Sequence, residues 1–591
     1  MEAWQKGFVL RQIHFFIAIL FISFTVPIGA QSDVFAPVHV LVKPSSIQLD
    51  NGLISLTFGT DGALTSLLKD GVELCHHLAQ DKPTFYVDYT VEGKNYRLKP
   101  DGRRIIQNTP ELVHIAFVGA TGPLTLEYHT LVKRGQSTLW QYVVAQNASS
   151  KPVRLSEMRT VYRADPALFT LSANAERQGP QPLSSYLSAQ KKIQDETWQI
   201  PGPPVYGNGP IYSKYDYSGY IRATPFWGQY GHGFGLWIIP GGTDYYPGGP
   251  DKQDLLVHYD AITLNNLASA HFGTGDFLAP PGWKKLYGPW AVYINAGKDG
   301  QVLNDAQERA KQEQSDWPYT WMNEPLYPLE RPTVQGRLVL TGKRLLPGAV
   351  VVLTSEDSEL IRQSESYSFS GTTDASGRFV LTHVRPGRYR LVAWASGGDV
   401  TDTLVSPFFE LAATNLDLGT LLWNAPERTT IWQIGQADHR ATEFRFGGEP
   451  RNYRWQTEVP ADLSFFVGHS KERDDWYYAQ TKPGTWTVRF NLDEVLPSHP
   501  VLTVALAGFS RGGPYKGKAD AGLEVRVNGR TLKILRYDND AAVYRSATNS
   551  GWFHQAVLPF DPSWLQAGAN TISFVNQGVS ALWDTVLLQS D

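Results

Sequence analysis

Residues 46–58 read Ser46-Ile47-Gln48-Leu49-Asp50-Asn51-Gly52-Leu53-Ile54-Ser55-Leu56-Thr57-Phe58, two short runs with apolar side chains at alternate positions, parted by an Asn-Gly pair. A period of two gathers the apolar groups on one side of an extended strand, and Asn-Gly supplies the positive φ of a tight hairpin. The same pattern returns at 112–118 and, with Asp-Gly and Gly-Pro turn signals, along most of the chain. Helical spacing is scarce, and its best stretch is 302–314, VLNDAQERAKQEQ. The pattern predicts an all-β protein of antiparallel sheets with one surface helix near a domain end.

A chain of 591 residues is longer than one hydrophobic core organises, so about three domains are expected. The first is read as a large β-sandwich over 31–330. A passage containing Pro318, Pro325, Pro328 and Pro332 follows and reads as a linker. The second unit, 331–425, has short strands punctuated by turns at Asp374-Ala375-Ser376-Gly377 and Arg385-Pro386-Gly387. It predicts a seven-stranded sandwich, similar to fibronectin type III-like or carboxypeptidase-regulatory-like modules, with the role of a spacer. The third, 426–591, carries aromatic strands around Trp432, Trp455 and Trp476-Tyr477-Tyr478, and a hairpin signal where Val525-Arg526-Val527 runs into Asn528-Gly529. It predicts a jelly roll.

At the N-terminus Lys6 and Arg11 precede an apolar run, 15–28, which closes on Gly29-Ala30. This reads as a signal peptide over 1–30, cut after Ala30, and hence as a secreted or periplasmic protein. No later stretch approaches the roughly 20 apolar residues of a membrane span, so no membrane association is expected after cleavage. Cys75 has no second cysteine to pair with, and buried cores must hold the fold. A net charge of −4 without long runs of one sign argues against nucleic acid as a partner. Eighteen Trp and 28 Tyr fit either platforms for sugar faces or the filling of large β-cores. Asn147-Ala148-Ser149 matches a glycosylation sequon. No repeat or amphipathic partner helix suggests an oligomer, and a monomer is expected.

Several segments in one order carry a more specific signal. In the third unit they are Ile431-Trp432-Gln433-Ile434-Gly435, Glu443-Phe444-Arg445, Pro460-Ala461-Asp462-Leu463 and Asp475-Trp476-Tyr477-Tyr478-Ala479-Gln480. In the first they are Tyr212-Ser213-Lys214-Tyr215-Asp216-Tyr217-Ser218, Gly248-Gly249-Pro250-Asp251-Lys252-Gln253-Asp254-Leu255, His258, and Ala270-His271-Phe272. These resemble the rhamnogalacturonan lyases of polysaccharide lyase family 4, and the order of parts matches the whole mature chain. The resemblance implies a galactose-mutarotase-like catalytic β-sandwich, then a fibronectin type III-like sandwich and a carbohydrate-binding-like jelly roll. It implies β-elimination of the rhamnose-(1,4)-galacturonate bond of rhamnogalacturonan I, leaving an unsaturated galacturonate at the new non-reducing end.

Elimination across a uronate needs the carboxylate neutralised, the C5 proton removed and the C4 oxygen helped to leave. The resemblance implies protein side chains for these tasks, with no cofactor required and room for a structural calcium ion. It carries the family's lysine onto Lys214 as the favoured proton abstractor, an assignment that requires a pKa below the ordinary lysine value of about 10.4. Tyr212, Tyr215 and Tyr217 flank that lysine as a candidate aromatic wall. The histidine is carried onto His258 as proton donor, with His271 the runner-up, and the exchange of roles between lysine and histidine stays open. Arg159, preferred, and Arg163 on one strand are candidates to clamp a uronate carboxylate. The tyrosines that precede the histidine in fungal relatives have no counterpart here, since Asp251, Lys252 and Gln253 occupy that stretch. Asp251 and Asp254, and likewise Asp474-Asp475, lack an EF-hand pattern and read as solvated or structural acids. Two other readings remain. One is a glycoside hydrolase, which needs two carboxyls about 5–9 Å apart, with Asp216, Asp244 and Asp260 as candidates. The other is a non-catalytic carbohydrate-binding or adhesion protein.

Overall fold

The computed structural model describes residues 35–75, 82–202, 205–206, 209–273, 276–494, 499–512 and 520–590. The signal-peptide reading of 1–30 lies outside the described residues. Among them no helix is long and apolar enough to cross a membrane.

The hairpin read at 46–58 is present: strands Ser46–Asp50 and Ile54–Gly59 pair antiparallel, with Gly52 at φ 79° between them. They belong to a five-stranded sheet that packs into the core of the first sandwich. That sandwich is built from a nine-stranded sheet, with Lys284–Ala296 and Thr138–Gln146 at its centre, and a six-stranded sheet around Val153–Arg163. Alternate side chains of both sheets, among them Tyr128, Leu155, Trp227, Ile238 and Trp290, meet in one buried core. The far face of the large sheet is also apolar, and the helix Asp299–Asp316 covers it through Val302, Ala306 and Ala310. The Pro-rich passage proves to be part of that cover, because Tyr319, Met322 and Tyr327 are buried in the same cluster. A segment that buries this much aromatic surface is packed structure and not a flexible linker.

The second sandwich has its own core around Val334, Leu338, Val351, Leu391 and Trp423. It contains eight strands where seven were expected, and Val334–Leu340 runs parallel to Leu416–Trp423. In the third, two five-stranded sheets enclose Trp476, Trp486, Trp583 and Phe574. Trp476 meets Trp486 edge-on at 5.0 Å and Trp583 at 5.2 Å. The aromatic motif of this unit is therefore core filling and offers no exposed sugar platform. Asn528 and Gly529 both take positive φ, at 46° and 81°, and join Leu523–Val527 to Arg530–Leu535. The Asn147 sequon is unavailable: the side chain is buried, and Nδ2 donates to the carbonyls of Lys151, Ala279 and Pro280.

The first and second sandwiches are tied by a buried charge cluster. Asp244 lies 2.6 Å from Arg385 and 3.1 Å from Arg331. Burial works to raise its pKa, and the two guanidinium groups overcome this, holding it down at about 2. Removing one partner from such a cluster leaves buried charge uncompensated. Asp244→Ala is expected to cost about 3–5 kcal/mol, read as a lowered denaturation midpoint; an unchanged midpoint would show that the junction adds nothing to stability.

Candidate functional site

Ser213-Lys214-Tyr215-Asp216-Tyr217 folds as a capped single turn. Ser213 Oγ accepts from the Tyr215 N–H at 3.3 Å, and Asp216 Oδ2 accepts from the Ser213 N–H at 3.1 Å. This reciprocal capping fixes Lys214 at the first position of the 3-10 turn Lys214–Tyr217. Asp216 is buried, which pushes its pKa up to about 6 against the opposing effect of Arg177, 3.7 Å away. The Lys214 backbone N–H donates to the Glu196 carbonyl at 2.9 Å. Its ammonium lies 5.9 Å from the centre of the Tyr259 ring, and burial lowers its pKa, with Arg159 and Arg545 adding to the effect and Glu196 opposing it.

Of the three flanking tyrosines, only Tyr215 faces the site. Tyr212 is buried and donates to Gln181 at 2.6 Å, while Tyr217 is part of the main core beneath the guanidinium of Arg177. The aromatic ring beside Lys214 is Tyr259, whose hydroxyl donates to Glu196 at 3.1 Å.

Both candidate histidines lie within the electrostatic reach of Lys214 and Arg159. His258 ends the short strand Val257–His258 and is buried, and its Nδ1 has no hydrogen-bond partner. Burial lowers its pKa well below the ordinary value, helped by Lys214 and His271. His271 stands edge-on to Tyr215, with ring centres 6.3 Å apart, and places Nδ1 3.6 Å from Asp254 Oδ1. Burial takes it down to about 4, Asp254 acting in the opposite direction. Burial likewise works to raise Asp254, yet Lys252 at 3.7 Å and His271 hold it below the usual carboxylate range. Both histidines are thus neutral near pH 7, and His271 is the one with a carboxylate behind it.

Arg159 reaches the same neighbourhood already engaged. Its Nε and Nη2 donate to Asp88 at 3.1 and 3.4 Å, and its Nη1 lies 2.7 Å from Glu157. Arg163 donates to the Pro83 carbonyl at 2.6 Å and to the Tyr86 hydroxyl at 3.2 Å, with its guanidinium over the Tyr86 ring. The three acids named for hydrolysis are each committed elsewhere: Asp216 to the turn, Asp244 to the sandwich junction, and Asp260 to the backbone N–H of Ser184. Asp251 pairs with Arg440 at 2.8 Å. Among the described residues, no group of three or more His, Cys, Asp or Glu side chains is arranged to hold a metal ion.

Sequence reasoning missed a contribution from the third sandwich. Arg545 donates to Asp195 Oδ2 at 2.8 Å and lies over the Tyr215 ring at 4.3 Å. The same carboxylate oxygen accepts from the hydroxyls of Tyr215 at 3.1 Å and Tyr544 at 2.8 Å. Nearby, Tyr215, Leu255 and Phe272 of the first sandwich share an apolar cluster with Ala542 and Ala547 of the third. Arg451 reinforces the contact: its guanidinium lies over Phe272 at 4.7 Å and donates to Gln253 and to the carbonyls of Ala542 and Arg545. Tyr544-Arg545-Ser546 carries no motif, so nothing in the linear sequence pointed to it.

Residues 430–588 match the family model described as CBM-like, polysaccharide lyase family 4, domain III, and residues 333–406 match the carboxypeptidase regulatory-like domain. A rhamnogalacturonate lyase of Dickeya dadantii (strain 3937) is 42% identical over 578 residues, covering 96% of this chain and 97% of that protein. A probable rhamnogalacturonate lyase B of Aspergillus niger is 26% identical over 494 residues, covering 71% and 68% respectively.

The field of Arg545 on Lys214 gives a direct test of the contact between sandwiches. Arg545→Ala is expected to move the Lys214 titration upward, toward the ordinary lysine range, in an NMR titration of its ε-carbon. An unmoved titration in a folded variant would mean that the third sandwich leaves this amine alone.

Proposed function

The chain belongs to the rhamnogalacturonate lyases of polysaccharide lyase family 4, and on that footing we propose that Lys214 and His271, with Arg545 beside them, carry the elimination. The enzyme is a polysaccharide lyase acting on the rhamnogalacturonan backbone. The observation that carries the assignment is the convergence of a desolvated lysine, a carboxylate-backed histidine and a group of guanidiniums around one turn.

A uronate brought to this neighbourhood meets the positive field of Arg159, Arg163 and Arg545, which stabilises the charge that builds on the carboxylate as C5 loses its proton. Neutral Lys214 takes that proton. The C5–H electrons form the C4–C5 double bond, and the C4–O bond breaks toward oxygen, which receives a proton from His271. The field that depresses His271, after burial, comes from Lys214 and Arg159. The substrate carboxylate offsets that field, while Asp254 favours the protonated imidazole, so binding readies His271 as donor. His258, buried and without an acidic partner among the causes of its depressed pKa, is given a supporting role. A second assignment rests on Asp254, which favours the Nδ1–H tautomer and leaves Nε2 of His271 to accept the C5 proton, with the Lys214 ammonium as donor.

The scheme routes no step through a metal, and a structural calcium ion stays part of the proposal only as a stabilising group. The apolar 15–28 run supports export to where the polymer lies, and a monomer suffices for the site, since all the groups named come from one chain.

Purified protein is expected to raise the ultraviolet absorbance of an unsaturated uronate on rhamnogalacturonan, not on homogalacturonan, and equally in chelator. Lys214→Ala and His271→Ala are each expected to lose at least about 100-fold in kcat, and His258→Ala less. A folded variant at the wild-type rate removes that residue from the scheme. The pH profile separates the two assignments. With Lys214 as base, kcat/KM rises as the amine loses its proton, at a pH below the ordinary lysine value of about 10.4. With His271 as base, the rising limb falls near pH 4, the value to which burial takes this histidine in the unliganded protein.

A further inference from the structure

Strand Gly387–Trp394 of the second sandwich alternates as a half-buried strand should, with Leu391 and Ala393 in the core. Its opposite face, where polar residues normally meet water, instead carries Val392 and Trp394, which cluster with Val352 on the outside of the sheet. The third sandwich covers part of this face. His439 lies on Trp394 with ring centres 4.9 Å apart and planes 7° from parallel, and Phe553 stacks on His439 at 3.6 Å. The cover is incomplete. Between these two sandwiches and residues 249–251 of the first there is a cleft of about 360 Å3.

Val392, Trp394, Trp552, Leu360 and Val405 give the cleft its apolar lining, and Ser358 and Thr403 stand among its polar groups. The charged groups around it are already paired. Arg390 bonds Asp357, Arg440 lies 2.8 Å from Asp251, and Arg362, whose guanidinium covers Trp552 at 4.0 Å, lies 3.4 Å from both Glu359 and Asp538. None of the lining residues belongs to the Lys214 cluster.

We propose that this cleft is an accessory site for a neutral saccharide, separate from the site of cleavage. Aromatic and aliphatic surface fits the C–H faces of a sugar, and the fixed polar groups at the rim fit its hydroxyls. The volume lies at the small end of the roughly 300–1,000 Å3 of ligand sites, which suits one or two sugar units and not a length of polymer. Charge selects the class. A uronate carboxylate would have to displace a carboxylate already held by an arginine, whereas a neutral sugar leaves every ion pair intact. On a polymer that alternates rhamnose with galacturonate, the cleft therefore takes the 6-deoxy sugar or the neutral branches it carries. This step rests on the lyase reading for the source of the sugar.

The test uses saturation-transfer NMR on the full chain with rhamnose and, separately, galacturonic acid as probes. Val405, 51% exposed, tolerates a larger side chain without loss of core, so Val405→Arg blocks the cleft, and Thr403→Trp fills it from the rim. Rhamnose transfer is expected in the wild type and lost in both variants, while galacturonic acid transfer and the rate of backbone cleavage stay at wild-type levels. Absence of rhamnose transfer in the wild type, its persistence in both variants, or loss of galacturonic acid transfer in the same variants would overturn the proposal. Failure of cleavage in the wild type would instead count against the lyase reading, which the binding readout does not depend on.

Discussion

Asp195 Oδ2 accepts three hydrogen bonds at once, from Tyr215 on the Lys214 turn and from Tyr544 and Arg545 of the third sandwich. Burial works to raise the pKa of this carboxylate, but Arg545, Tyr544 and Tyr215 hold it below the ordinary range, so it stays charged at neutral pH. The charge anchors a guanidinium over Tyr215 and, with it, one edge of the third sandwich against the first. The surroundings of the capped turn that presents Lys214 thus include the docked C-terminal sandwich. This brings the third sandwich into contact with the Lys214 turn, which its jelly-roll architecture alone does not suggest.

The electrostatics follow from that docking. Arg159, Arg163 and Arg545 all contribute positive field, and each is held in place by carboxylates or backbone carbonyls. A preorganised field of this kind costs little at the moment of reaction. It also explains why two histidines so close to a lysine stay neutral: burial and a common positive surrounding both disfavour the imidazolium. On the proposed scheme, an anionic ring bound here would relieve this and couple substrate binding to the protonation of the site.

Aromatic residues divide in an instructive way. In the third sandwich Trp432, Trp476, Trp486 and Trp583 pack against one another inside the fold, where large rings fill the space between two sheets. Aromatic groups that line accessible space, Trp394 and Trp552, lie instead where sandwiches meet, Trp394 on a strand face that alternation alone would assign to water. The abundance of Trp and Tyr announced large β-cores and, less directly, the surfaces between them.

Local chemistry was legible in the sequence. Alternation and Asn-Gly pairs gave the strands and the hairpins at 51–52 and 528–529, because strand period and positive φ are properties of neighbouring residues. A run of matched segments carried the family and singled out Lys214, whereas the capped turn at 213–217 was seen only in the structure. The Pro-rich passage was misread as a linker, since proline content reports backbone stiffness and says nothing of the sheet face that Tyr319 and Tyr327 cover. What belonged to tertiary structure alone was partnership across distance: Arg545 with Asp195, Asp254 with His271, Asp88 and Glu157 with Arg159. Electrostatic and packing interactions fall off over a few ångströms in space and are indifferent to separation along the chain. For this reason the sequence by itself determined the strands and the three cores and, through its resemblance, singled out Lys214, while only the folded molecule decided which cations surround that lysine, which histidine has a carboxylate behind it, and that the last sandwich reaches the Lys214 turn.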